Sequence, residues 1–342
     1  MATHPAATLT APRAIAVEER PSPALAPWEV RVRIDLASVC GTDLALWSGD
    51  LPTSLPLVLG HEFVGTVVEV GDQRDEPWLG RRVCADINFT CLSRRESTPC
   101  RACRFGHPHH CQRRTTMGIT EAPGAFAREM VVPAENLFAL PDAVGDSQAV
   151  FVEPLAAAIQ AFEQVPVGEG DVVVVLGLGR LGALVAAVAQ RRGATVLAVG
   201  RGQAKINRAA RLGVGKVLSV RSDDVRGRVR GQTENLGADV VVEATGAPEG
   251  LAMALDLVRP RGTVILKTTC GIPASGFDET RVVVDEITLV GSRCGPFGSA
   301  IELLARGNLP VETLIEETHP LAEIERALAR ASEVFKVAVK PG

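Results

Sequence analysis

Tyrosine is absent from the 342 residues, and aromatics together make up only 4%. That absence excludes every dehydrogenase mechanism in which a tyrosine phenol is the general acid, including the short-chain and aldo-keto types. An excess of positive charge is missing as well. There are 36 Lys plus Arg against 40 Asp plus Glu, a net charge of −4, and a sequence-independent grip on nucleic acid needs a basic face. No stretch reaches 18 uninterrupted apolar residues, so no membrane span is expected. The best candidate, Val172 to Ala189, is broken by glycines and Arg180. The first thirty residues hold no basic start followed by an apolar run, so no secretory signal is expected and a cytoplasmic setting follows. Without an export signal, the eight cysteines point to metal or free thiols before disulfides. Repeats and low-complexity tails are also lacking. What remains is a globular composition, 46% hydrophobic and 22% charged, long enough for two domains.

The N-terminal third reads as β-rich. Val30, Val32, Ile34 and Leu36 alternate with Arg31, Arg33 and Asp35, the pattern of a half-buried strand. A second strand, Thr66 to Val70, ends at the turn Gly71-Asp72. From about 85 to 115 the hydrophobic pattern disappears, and arginine, cysteine and histidine take its place. Beyond Phe151 the character changes. The apolar runs Val172–Leu176, Thr195–Val199, Val240–Val242, Thr263–Leu266 and Thr288–Val290 alternate with helical segments. Continuous apolar strands separated by helices imply a parallel, doubly wound α/β sheet.

Gly177-Leu178-Gly179-Arg180-Leu181-Gly182 follows the first of these strands and opens a helix. In that context GxGxxG signals a dinucleotide site: the glycines permit a tight turn and close backbone approach, and the helix N-terminus faces a pyrophosphate. The second strand ends in Gly200 and Arg201 where NAD sites usually place a carboxylate. With no carboxylate to repel a 2′-phosphate, and Arg201 and Lys205 nearby, NADP is favoured over NAD.

Cys91, Cys100, Cys103 and Cys111 form C-x8-C-x2-C-x7-C inside the segment without hydrophobic pattern. Four thiolates suit a closed, tetrahedral structural zinc, which would supply the folding energy the loop cannot obtain from burial. His107, His109 and His110 in the same loop are expected to be mostly exposed. A dispersed set, Cys40, His61 and Glu153, suits a zinc with an open position. Glu153 lies in the apolar run Ala149 to Leu155, where an isolated charge is costly. The lone cysteines Cys84, Cys270 and Cys294 read as small core residues.

These residues bring the chain to a family. Cys40-Gly41-Thr42-Asp43, Gly60-His61-Glu62-Phe63-Val64-Gly65, the cysteine loop, Glu153-Pro154-Leu155-Ala156 and Gly177–Gly182 together resemble the zinc-dependent medium-chain alcohol and polyol dehydrogenases. The resemblance implies a GroES-like catalytic domain over 1–153 and 296–342 and a Rossmann cofactor domain over 154–295. It implies that Cys40, His61 and Glu153 bind the catalytic zinc, with Glu62 as the alternative ligand used by some polyol-type members. Thr42 would contact the substrate oxygen and relay its proton, and Asp43 would orient His61. Thr245, Cys270, Gly271, Ile272, Ser292, Arg293 and Cys294 match loops lining the cofactor, and Lys336 matches a basic residue on the pyrophosphate.

Two departures stand out. Ser97 occupies a position where the usual structural loop has a cysteine, with Cys91 as its replacement, and Ala45 stands where some members end their proton relay with histidine. The implied function is hydride transfer between a secondary alcohol, polyol or sugar-like hydroxyl and a nicotinamide cofactor. The implied assembly is a homodimer or homotetramer, with Asp285–Ser292 as the candidate edge. A zinc-free quinone or enoyl reductase lacks the Cys–His–Glu set, and a non-catalytic zinc- and nucleotide-binding sensor would be expected to have lost Thr42 or a ligand.

Overall fold

The computed structural model describes residues 2–267 and 273–342, so Cys270, Gly271 and Ile272 lie outside the described residues. The chain divides into two compact units, one of Met1–Glu153, Ile301–Gly307 and Val311–Gly342, the other of Pro154–Ala300 and Asn308–Pro310.

The first unit is built on a seven-stranded, mainly antiparallel sheet with Glu29–Ser38 near its centre. That strand pairs antiparallel with Glu62–Val70 on one side, and with Glu129–Pro133 and the C-terminal strand Lys336–Lys340 on the other. Val30, Val32 and Ile34 are buried, as the alternation requires. Arg31 breaks it. The alternation places Arg31 in solvent, yet it is 8% exposed. Its Nε donates to Glu69 Oε2 at 2.7 Å and its Nη2 to the Pro23 carbonyl at 2.7 Å, bonds that meet most of the cost of burying a guanidinium. The last turn of this strand leads into the helix Gly41–Ser48.

Residues 85–115 hold short strands, a four-residue helix, Arg101–Arg104, and one 3-10 turn, Pro108–His110. Cys91, Cys103 and Cys111 are buried and take the place of a hydrophobic core in this lobe. Arg95 ties the lobe to the sheet through Asp75 (2.7 Å), Glu135 (3.0 Å) and the Pro27 carbonyl (3.1 Å).

The second unit is a six-stranded parallel sheet in the order Lys216–Ser219, Thr195–Gly200, Val172–Leu176, Ala238–Glu243, Val258–Leu266 and Thr288–Gly291. Val172–Leu176 is buried along its whole length, between strands on both sides. Because every strand is parallel, Gly177, Gly200, Thr245, Lys267 and Ser292 follow or end strands at one common edge. Thr288–Gly291 is an outermost strand of this sheet. No helix of the described residues is long and apolar enough to cross a membrane.

The helix Arg180–Arg191 packs onto the glycine turn at Gly182, where a Cβ would lie 1.9 Å from the Gly177 carbonyl oxygen. At Gly179 a Cβ would meet nothing within 4 Å. Gly182→Ala is therefore expected to destabilise the protein by about 1–3 kcal/mol through overpacking, and Gly179→Ala to leave stability nearly unchanged. Denaturant unfolding checks this, and equal losses for both variants would contradict it.

Candidate active site

The site begins with a carboxylate. Asp43, in the first turn of Gly41–Ser48, is fully buried. Its Oδ2 accepts from the Cys40 N–H at 2.8 Å, and its Oδ1 accepts from the Gly60 N–H at 3.1 Å. Oδ1 also lies 3.3 Å from His61 Nδ1. One side chain thus joins the start of the helix to the segment that carries His61. Withdrawal from water would lower the His61 pKa, but the Asp43 charge, with Cys40, outweighs it and holds the imidazole well above its ordinary value.

Gly60 itself requires the left-handed region (φ +95°), with Phe126 pressed against the place of a Cβ. That fixes the direction in which the chain delivers His61.

Cys40, His61 and Glu62 each offer a ligand atom, and these atoms all lie within 4.8 Å of one another. The sequence reading made Glu153 the third member, with Glu62 as the alternative. Among the described residues, Glu62 is the carboxylate gathered with Cys40 and His61. The reason lies in what holds Glu62. Ser38 Oγ donates to its Oε2 at 2.6 Å, and the Lys336 ammonium pairs with the same oxygen. Glu153 starts the helix Val152–Gln164. Burial, reinforced by Glu62 and Asp86, pushes its carboxyl up to about 7 against the opposing His61 and Lys336 charges.

Lys336 stands beside the same cluster. The family likeness put it on the cofactor pyrophosphate. It is 1% exposed, its ammonium is spent on Glu62, and it lies 5.3 Å from the Phe151 ring centroid. Thr42 Oγ1 lies 3.9 Å from the Cys40 sulfur, so the hydroxyl stands beside the cluster.

In the cysteine lobe, sulfur–sulfur distances are 3.2 Å for Cys91–Cys111 and 3.7 Å for both Cys91–Cys103 and Cys100–Cys111. A tetrahedral zinc with 2.3 Å bonds spaces its sulfurs about 3.8 Å apart, so the set fits that ion. Backbone N–H groups of Cys91, Cys100, Gln112 and Arg113 point at the sulfurs at 3.3–3.5 Å, as thiolates attract them. His107 and His110 are exposed. His109 departs from expectation: it is half-buried, and its Nε2 lies 2.7 Å from Asp86 Oδ2.

In the other unit, Gly177 adopts φ +93°, and a Cβ there would sit 2.5 Å from the Ala244 carbonyl oxygen. Gly177 makes the turn, Gly179 leaves open approach, and Gly182 allows the helix to close on the strand. Arg180 and Leu181 open that helix, half-buried. At Gly200 a Cβ would lie 2.9 Å from the Leu178 side chain, so the glycine also makes room for the glycine-rich turn. Arg201 and Lys205 are exposed beside it. Thr245 turns its N–H and hydroxyl back on Glu243 Oε1. Lys267, missed in the sequence because it is a single polar residue ending an apolar strand, is 7% exposed. Its Nζ donates to Ser292 Oγ at 3.2 Å and to the Arg293 carbonyl at 2.8 Å, fixing the segment that continues to Cys294.

Comparison with known proteins agrees with both units. Residues 26–142 match the alcohol dehydrogenase GroES-like domain, and residues 181–306 match the zinc-binding dehydrogenase family. The sorbitol dehydrogenase of Halalkalibacterium halodurans is 30% identical over 333 residues, 95% of each chain. The alcohol dehydrogenase TADH from Thermus sp. ATN1 superposes with a TM-score of 0.87 at 31% identity, covering 98% of this chain and 99% of that one. A zinc-binding dehydrogenase from Sinorhizobium meliloti 1021, bound to NADP, gives 0.88 at 27% identity over the whole of both chains. With its GroES-like and Rossmann-type units, the chain belongs to the zinc-dependent medium-chain alcohol and polyol dehydrogenases, oxidoreductases that use zinc and a nicotinamide cofactor.

Proposed function

We propose that the protein oxidises a secondary hydroxyl of a polyol or sugar alcohol, or reduces the matching ketone, with NADP as the preferred cofactor. The observation that carries this reading is the Cys40–His61–Glu62 cluster backed by Asp43. Cys40, His61 and Glu62 hold the catalytic zinc, and Cys91, Cys100, Cys103 and Cys111 hold the structural one. Bound zinc supplies Lewis-acid polarisation of the substrate oxygen, and the nicotinamide exchanges the hydride. The protein's own groups do the rest. Asp43 Oδ1 stands 3.3 Å from His61 Nδ1, an arrangement that would leave Nε2 for the metal. Ser38 and Lys336 together hold Glu62 Oε2. Thr42, beside Cys40, receives the substrate's hydroxyl proton and passes it outward. Since Ala45 carries no titratable group, the proton leaves through water or another group. A thiolate and a carboxylate cancel the metal's charge, a balance suited to neutral, hydroxyl-rich substrates. The likeness to a sorbitol dehydrogenase supports the same class.

The unit that ends at Glu153 and resumes in the C-terminal segment is the catalytic domain, and the parallel-sheet unit binds the cofactor. The outermost strand Thr288–Gly291 supports two-fold pairing into a dimer, alone or within a tetramer. The four unbridged, closely set cysteines support a reducing, cytoplasmic setting.

Two zinc ions per chain are expected by elemental analysis. His61→Gln is expected to lose one of them and nearly all turnover with the fold retained. Cys103→Ser is expected to lose the other and to lower the thermal midpoint. A single zinc in the unmodified protein would sink the two-site assignment.

Cofactor choice rests on Gly200, Arg201 and Lys205. Arg201 and Lys205 are exposed and carry no ion pair among the described residues, so both charges are available to a 2′-phosphate. Arg201→Ala is expected to reduce kcat/KM with NADP about ten- to a hundredfold and to leave NAD nearly unchanged. Equal kcat/KM with both cofactors in the unmodified enzyme would overturn the preference.

A further inference from the structure

A cavity of about 550 Å³ opens in the catalytic unit, and none of its lining residues belongs to the Cys40–His61–Glu62 cluster or to the cysteine set. Its size is that of a small-molecule site. Much of the wall is apolar, with Val58, Phe89, Ala127 and Met130 among the lining residues. Three arginines, Arg20, Arg31 and Arg94, also line it.

Two of these are unusual. Arg31 is 8% exposed, with Nε and Nη2 pinned by Glu69 and Pro23, which fixes the guanidinium plane. Its Nη1 is buried with no hydrogen-bond acceptor, the Glu129 carboxylate standing 3.6 Å away. Closed to the cavity and ion-paired with Glu129, this guanidinium is a fixed part of the wall. Among the described residues Arg94 donates to neutral oxygens, the Arg113 carbonyl at 2.8 Å and Thr115 Oγ1 at 2.7 Å, and its charge meets no carboxylate.

We propose that this cavity is an accessory binding site for a small organic monocarboxylate, its hydrocarbon body on the apolar wall and its carboxylate toward Arg94. One negative charge, rather than the two of a phosphate, suits walls that also carry Glu29, Glu121 and Glu129. The wall residue Gly124 and the two residues after it are bonded to the segment that leads to His61: the N–H groups of Gly124, Ala125 and Phe126 donate to the carbonyls of Val58, Gly60 and Leu59 at 2.8, 2.8 and 2.9 Å. The cavity is therefore a neighbour of the metal-binding segment and yet separate from it.

Isothermal calorimetry on the zinc-loaded enzyme tests the assignment, with hexanoate as probe and hexanamide and sulfate as controls. Hexanoate is expected to bind once per chain, with hexanamide and sulfate at least about tenfold weaker. Arg94→Ala is expected to weaken hexanoate about tenfold or more. Val131→Phe, which fills the cavity from a half-buried strand position, is expected to abolish binding. Both variants are expected to keep the alcohol kcat/KM of the unmodified enzyme, which separates this site from the active site. Absence of hexanoate binding would overturn the proposal, as would equal affinity for hexanamide or unchanged affinity in both variants.

Discussion

One buried carboxylate organises the GroES-like unit. Asp43 receives N–H groups from Cys40 and Gly60, two points 20 residues apart in sequence, and stands against the imidazole of His61. A fully buried charge is tolerable only when hydrogen-bonded and paired, and each of these partners meets part of that need. The same bonds that satisfy Asp43 therefore set where Cys40 and His61 can be. The glycine at position 60 completes the constraint, because its positive φ and the Phe126 ring leave no room for a side chain.

Around that anchor the unit places charges in opposed pairs. Glu62 is met by Lys336 and Ser38, and Lys336 rests on Phe151, so the buried anion and cation are brought together by the C-terminal strand. That strand reaches the site by pairing with Glu29–Ser38 at Ala37 and Ser38, two residues before Cys40. The C-terminal strand thus helps to support the Cys40–His61–Glu62 cluster. The cysteine lobe follows a different rule. It has almost no apolar interior, and its four sulfurs and the Arg95 bonds to Asp75 and Glu135 take over the work of a core.

Much of this was legible in the sequence, for identifiable reasons. Strand periodicity exposed the parallel sheet because Val172–Leu176 is buried on every side. The glycine motif was legible because its three positions have distinct steric demands. The cysteine set was legible because those residues stand in a segment with no other means of folding. What was hidden depends on contacts between distant positions. Nothing local in Lys336 shows that its ammonium ends on Glu62, 274 residues away. Nothing in the apolar run around Glu153 shows that Glu62 is the carboxylate gathered with Cys40 and His61. Arg31 read as a solvent-facing strand residue, and only Glu69 and Pro23 explain its burial. Lys267 looked like the end of a hydrophobic strand until Ser292 and Arg293 supplied its partners.

The central claim is that Asp43 assembles a zinc site from Cys40, His61 and Glu62. Zinc binding by the Asp43→Asn variant tests it most directly, read by competition with a chromophoric chelator alongside turnover. Loss of such a supporting carboxylate typically weakens metal binding about 10- to 100-fold. The account predicts that one zinc per chain, in the cysteine lobe, is held as before. The other is expected to weaken by that factor, with turnover falling in step and recovering as zinc is added. Unchanged affinity of both zinc ions with full turnover would contradict it.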